Sequence, residues 1–249
     1  MGKVIGVIPA RLASSRLARK ALRLIGGYPM IVWVYRRARQ ARSLDQLLVA
    51  TDAEEVAACC QNFQIPFLMT SASHGSGTDR LVEVAGRETA DIYVNVQGDE
   101  PMVGEKHIEL LLEPFRQDSA AAVTTLKVAI SAEEAGSPNN VKVVTDVNGH
   151  ALYFSRWPVP YDRDGSGQTQ RFKHLGFYAY RRAALEAFSR LRPSPLEMAE
   201  RLEQLRFLEN GIPITVAETR DNTIGVDTEE DLRKVEEFFR HADESLPKT

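Results

Sequence analysis

Apolar positions along this chain come in short continuous runs that alternate with stretches of helical spacing. Lys3 to Ile8 is nearly all apolar and rich in β-branched residues, which predicts a strand covered on both faces in a parallel sheet. After a polar loop, Pro29 can open a helix whose Met30, Ile31, Val34, Ala38 and Ala41 recur near helical spacing, with Arg36, Arg37 and Arg39 projecting elsewhere. The same order repeats. Gln46 to Ala50 reads as a strand, Ala53 to Phe63 as a helix and Ile65 to Met69 as a strand. Thr78 to Glu88 follows as a helix, Asp91 to Val96 as a strand, Ile108 to Phe115 as a helix and Ala121 to Val128 as a strand. Alternation this regular predicts an α/β fold, mainly a parallel sheet flanked by helices.

From Val141 the rhythm changes. Val141 to Thr145, Ala151 to Phe154 and His174 to Tyr180 are strands too closely spaced for crossover helices, so a smaller mixed β lobe is expected. Leu196 to Glu209 predicts one long helix ended by Asn210-Gly211, Ile214 to Ala217 a short strand, and Asp227 to Asp231 the acidic start of a last helix. The expected organisation is an α/β core over 1–128, a mixed β lobe over 129–192 and C-terminal helices and a strand over 193–249.

Composition narrows the function. The 249 residues carry 31 Lys plus Arg against 34 Asp plus Glu, a formal charge of -3, so no broad basic field advertises long nucleic acid or an anionic membrane. Cys59 and Cys60 are adjacent, which leaves no disulfide framework and no spaced metal pair and points to a reducing compartment. The N-terminus lacks the pattern of a signal peptide. The longest uncharged stretch, Val56 to Ser73, contains Gln61, Asn62, Gln64 and Pro66, so no membrane insertion is expected.

Three segments carry candidate chemistry. The loop after the first strand, Pro9 to Lys20, holds Arg11, Arg16, Arg19 and Lys20 among small residues. At the carboxyl end of a strand that suits an oligophosphate, although a solvated basic loop has the same composition. It matches neither the P-loop nor the dinucleotide fingerprint. Asn95-Val-Gln-Gly-Asp-Glu-Pro101 ends another strand, and Asp99 is placed for Mg²⁺ shared with substrate phosphates, the alternative being a plain turn. Gly98 there could let backbone approach a nucleotide. Asp227, at a helix start, is either an N-cap or a second metal ligand. Arg80, Arg156, His174, Tyr178, Glu203 and Gln204 are weak signals alone, yet together they suit an acid carrying several hydroxyls.

The chain resembles the 3-deoxy-D-manno-octulosonate (KDO) cytidylyltransferases of the sugar-nucleotidyltransferase superfamily. The likeness is carried by Val7-Ile-Pro-Ala-Arg11, Ser15-Arg16-Leu17, Lys20, Ser76-Gly-Thr-Asp-Arg80, Val94 to Pro101, Ala151 to Arg156, His174-Leu-Gly176, Tyr178, Leu202 to Arg206 and Gly225-Val-Asp-Thr228. It implies the nucleotide-diphospho-sugar transferase type of fold and transfer of CMP from CTP to KDO, giving CMP-KDO and diphosphate with Mg²⁺. The setting it implies is the cytoplasm, in a homodimer serving lipopolysaccharide synthesis. A cytidylyltransferase for another ulosonic acid and a non-catalytic CTP-binding dimer are the rival readings.

By the same resemblance, Arg11, Arg16 and Lys20 handle the triphosphate, with backbone near Ala10 contacting the nucleotide. The Ser76-Gly77-Thr78 turn lies toward cytosine or ribose. Asp99 and Asp227 hold Mg²⁺ and, with Arg11 and Lys20, make up the catalytic set. Arg80, Gln97, Arg156, His174, Tyr178, Glu203 and Gln204 bind the sugar acid. Two departures stand out. The family's Arg-Leu-Pro-Gly-Lys-Pro is here Arg16-Leu-Ala-Arg-Lys-Ala21, which adds Arg19 either to the phosphate site or to solvent. Its His-Gln-Ser-Gly-Thr is here His74-Gly-Ser-Gly-Thr78, with a more permissive Gly75.

Overall fold

The computed structural model describes residues 2–12 and 17–241. By internal contact the chain forms two units, one of residues 2–109 together with the chain from Thr223 onward, the other Leu110–Asn222.

The first unit is built on β1 (Val4–Ala10), whose residues are buried along nearly its whole length as a doubly covered strand requires. A single 3-10 turn at Lys20–Leu22 precedes the hairpin β2 (Leu24–Ile25) and β3 (Tyr28–Pro29). Gly26 and Gly27 make its two-residue connection at φ 54° and 86°, the left-handed conformation that glycine adopts without penalty. This hairpin lies inside the stretch expected to be a polar loop. Next come α1 (Met30–Ala38), β4 (Gln46–Thr51), α2 (Glu54–Asn62), β5 (Phe67–Met69), α3 (Gly77–Arg87), β6 (Ile92–Asn95) and α4 (Glu105–Gln117).

Strands β6, β1, β4 and β5 are adjacent in that order and all parallel, with Val7 opposite Asn95 on one side and Leu48 on the other. Parallel pairing aligns the carboxyl ends of β1 and β6, so the loops after Ala10 and Asn95 open at one edge of the sheet, where ligands of open α/β sheets bind.

In the second unit β7 (Val123–Ile130) is followed by the short α5 (Ala132–Gly136), β8 (Lys142–Thr145), β9 (Ala151–Ser155), β10 (Arg171–Arg181), α6 (Arg182–Phe188), α7 (Pro195–Glu200), α8 (Leu205–Glu209) and β11 (Ile214–Thr219). Pairing here is mixed. β10 runs antiparallel to β7 and β8, β8 antiparallel to β9, and β11 parallel to β7. Its aromatic core stacks Tyr178, Tyr180, Phe207 and Phe188 in succession at 4.8–5.8 Å between ring centres.

One expected element is corrected. Leu196 to Glu209 is two short helices, because Arg201 takes a left-handed conformation (φ 56°) that ends α7, and a second helix restarts at Leu205. Lastly α9 (Glu229–His241) returns to the first unit. There Phe239 stacks on Trp33 at 4.3 Å and lies under the Arg37 guanidinium. Among the described residues no helix is long and apolar enough to cross a membrane.

Candidate active site

The first unit holds a pocket at the carboxyl edge of its parallel sheet. One wall is the end of β1, Pro9-Ala10-Arg11, and another is the turn Gln97-Gly98-Asp99 after β6. Gly98 fixes how closely these walls meet. A Cβ there would stand 2.8 Å from the main-chain oxygen of Pro9, so any side chain would push the Asp99 turn off β1. The close approach expected at Gly98 is therefore to the neighbouring strand.

Lys20 enters from the 3-10 turn. Its Nζ donates to Asp99 Oδ2 and, at 2.9 Å, to Asp227 Oδ1. The two carboxylates thus share one ammonium. Burial would pull the Lys20 pKa down, but Asp99 and then Asp227 outweigh it and hold the group above its ordinary value.

Asp227 is not the helix cap. Thr228 Oγ1 accepts from the Asp231 main-chain N–H at 3.2 Å, while Asp231 Oδ2 accepts from Thr228 N at 2.9 Å and Asp227 N at 3.1 Å. Thr228 and Asp231 thus form a reciprocal cap, and the Asp227 carboxylate is left to face Lys20. Val226 N donates to Asp99 O at 2.8 Å, joining the two acid-bearing turns through their main chains.

The opposite wall is His74, Ser76, Gly77 and Arg80. Ser76 caps α3, its Oγ accepting from Asp79 N at 3.1 Å, and Thr78 is buried in the first turn. Arg80 is 3% exposed. Its guanidinium donates to Asp52 at 3.1 Å and to Thr70 Oγ1. Asp52 and Thr70 escaped the sequence reading because each sits at a strand end where acidic and hydroxyl residues are routine. His74 bonds Glu83 through Nε2, and Glu83 also accepts from Ser71 N at 2.8 Å, so the ring is held from behind.

Arg19 turns away from the acids to pair with Glu55. It stands where the family pattern has glycine, and its φ of 55° and ψ of 35° explain that preference. Arg11 is exposed at the pocket rim. Arg16 lies outside the described residues.

A family model described as Cytidylyltransferase matches residues 5–219. The chain belongs to the cytidylyltransferase family. It is 57% identical over 236 residues to a 3-deoxy-manno-octulosonate cytidylyltransferase of Acidobacterium capsulatum, covering 95% of this chain and 96% of that one. To the protein of the same name from Koribacter versatilis it is 54% identical over 238 residues, covering 96% and 90%. A solved structure of CMP:2-keto-3-deoxy-manno-octonic acid synthetase complexed with CTP superposes with a TM-score of 0.92 at 47% identity, over 96% of this chain and 99% of that one.

The remaining expected residues of this cytidylyltransferase lie in the second unit. His174 and Tyr178 are on β10, ring centres 5.3 Å apart, on either side of a register shift between Leu175 and Tyr178. Thr125 fills the irregularity. Its hydroxyl lies 2.7 Å from Phe177 O and 3.0 Å from His174 Nε2. Donation to Phe177 leaves the oxygen to accept from Nε2–H, which puts the lone pair of the neutral ring on Nδ1. Burial, then Lys173, pushes the His174 pKa down to about 3. Burial, followed by Tyr180 and Glu203, raises the Tyr178 hydroxyl well above its ordinary value. Both side chains are therefore neutral hydrogen-bonding groups at pH 7.

Glu203 and the buried Gln204 occupy the break between α7 and α8. Arg156 is committed to that break. Its guanidinium donates to Glu200 O at 2.8 Å, Pro138 O at 3.1 Å and Arg201 O at 3.5 Å, while Glu200 accepts from Arg156 N at 2.9 Å and Ser155 Oγ at 2.7 Å. The fully buried Lys142 donates to Arg156 O and, at 2.9 Å, to Ser137 O.

Among the described residues no three His, Cys, Asp or Glu side chains converge as a metal cage. The donors that do converge are hard carboxylate oxygens, two in number and already gathered around one positive charge. That set fits a magnesium ion, which takes one or two carboxylates and completes its shell with phosphate and water.

Proposed function

We infer that this chain transfers CMP from CTP to 3-deoxy-manno-octulosonate, giving CMP-KDO and diphosphate. The observation that carries the mechanism is the meeting of Lys20, Asp99 and Asp227 in one pocket beside the β1 loop. Arg11 and Lys20, with Arg16, neutralise the triphosphate. Ala10 and the Ser76 to Thr78 turn border the nucleoside, and the capped start of α3 keeps that border rigid. Asp99 and Asp227 would hold magnesium, which when bound supplies charge neutralisation at the phosphates.

Arg80, fixed in orientation by Asp52 and Thr70, presents what remains of its guanidinium to an anionic group. Gln97 offers an amide to the same substrate. On the second unit, Nδ1 of neutral His174 accepts from a sugar hydroxyl, and Tyr178 donates. Glu203 and Gln204 read further hydroxyls, and Arg156 holds their segment in place. The anomeric hydroxyl of the sugar acid attacks the α-phosphorus in line with the departing diphosphate, so no covalent enzyme intermediate forms. Cations around the phosphates stabilise charge that builds on the leaving group.

Two coarser features extend this reading. Leu152, Trp157 and Tyr161 are 62%, 75% and 82% exposed within a short stretch of chain, an apolar surface suited to a second copy of the chain. Free, adjacent cysteines, with Cys60 pushed by burial to about 12, suit the reducing cytoplasm, where CMP-KDO serves lipopolysaccharide synthesis.

A panel of nucleoside triphosphates crossed with ulosonic acids, scored by diphosphate release, tests the reaction. CTP with KDO is the expected pair, and turnover only with a different acid would reassign the substrate. Asp99→Ala and Asp227→Ala should each lose at least about a hundredfold in turnover while remaining folded; full activity in either would remove that residue from the metal site.

A further inference from the structure

The ammonium of Lys20 stands where the two proposed metal ligands meet. Its side chain is 17% exposed and that of Asp99 29%, so this contact lies in a cleft where screening is weaker than on an open surface. Two carboxylates held this close repel each other, and the single positive charge between them offsets that repulsion.

The backbone of Lys20 has little freedom to retreat. The 3-10 turn is closed by Leu22 N to Arg19 O at 2.9 Å and Arg23 N to Lys20 O at 3.1 Å. On its flanks Arg19 and Arg23 make only exposed pairs, with Glu55 and with Glu229 at 2.8 Å, so the turn's own hydrogen bonds supply most of the restraint. What can move is the side chain, an ammonium on a flexible four-carbon stem. A divalent ion cannot take the facing oxygens of Asp99 and Asp227 while that ammonium bonds them.

We propose that Lys20 is a placeholder cation that closes the acid pair to free divalent metal and releases it when a triphosphate draws the ammonium away. Metal and nucleotide then load together, and an idle enzyme does not trap a bare ion in its active site. The device rests on the reading of Asp99 and Asp227 as metal ligands.

Mn²⁺ titrated into nucleotide-free protein, with free ion followed by electron paramagnetic resonance, tests it without turnover. Lys20→Met should bind Mn²⁺ about tenfold more tightly than wild type, since a competitor for the site has been removed. Adding Asp99→Asn should abolish the gain. Lys20→Gln, with circular dichroism melts of every form, provides a second variant should Lys20→Met unfold. If neither variant binds Mn²⁺ more tightly than wild type, yet Asp99→Asn weakens binding in all, the placeholder is overturned and the acid site stands. Mn²⁺ binding indifferent to Asp99→Asn would overturn the metal-ligand reading itself.

Discussion

Single residues in this protein do work that their type alone does not announce. His174 is a half-buried ring kept neutral because desolvation and then Lys173 disfavour its charge, while Thr125 bonds Nε2. The unfolded chain protonates this histidine near its ordinary value of 6.5, the folded chain only near 3. Between those values the unfolded state binds more protons, so stability falls as pH drops through that window, by up to about 1.4 kcal/mol per pH unit. His174→Gln removes this term, and its loss of stability between pH 7 and pH 4.5 in urea titrations should be smaller than wild type.

Arg19 is a second case. Its left-handed backbone costs about 1 kcal/mol and its exposed pair with Glu55 returns no more than that. Arg19→Gly should therefore leave stability unchanged or slightly raised, and should leave the apparent affinity for CTP within about twofold of wild type. A clear rise in the CTP requirement would place the guanidinium on the phosphates instead.

At the scale of elements, the strands and helices of the first unit were legible because each strand is a continuous apolar run and each helix repeats at 3.6 residues. The Gly26-Gly27 hairpin was less so, since two-residue strands leave almost no periodic signal. The single helix expected over Leu196 to Glu209 shows a deeper limit. Its apolar spacing is compatible with one helix, but Arg201 turns left-handed and the carbonyls of Glu200 and Arg201 are taken by Arg156, just past the end of β9. That contact joins residues far apart in sequence and leaves no local trace.

Asp227 was ambiguous for a different reason. The run Asp227-Thr-Glu-Glu-Asp231 contains two competent caps, and only geometry shows that Thr228 and Asp231 take the role. Thr228→Ala should cost about 1 kcal/mol, a fall of about 2–4 °C in melting temperature, with turnover reduced far less than by Asp227→Ala. Calorimetry beside a diphosphate assay separates the two effects.

For the molecule as a whole, the order of the motifs was enough to read a family by resemblance, while the charge balance only set aside long nucleic acid and membrane. The supports of the site were not readable. Asp52 behind Arg80, Glu83 behind His74 and Thr125 behind His174 are common residue types in unremarkable positions, and their value comes from what folding sets against them. Association of copies belongs at this scale too. If copies associate through the face proposed above, Trp157→Glu should shift the protein toward monomer in sedimentation velocity, and an unchanged sedimentation coefficient would remove Trp157 from that proposed contact.

The hydrogen bond from Val226 to the Asp99 carbonyl has a consequence for biosynthesis. Lys20 and Asp99 emerge early from the ribosome, but the partner turn is made only after the whole second unit has been translated. Any fragment that stops before Val226 lacks both the second carboxylate that faces Lys20 and the main-chain hydrogen bond to the Asp99 turn. On the two-acid site proposed above, such a chain should release no diphosphate from CTP, and only chains that have passed that point should consume nucleotide.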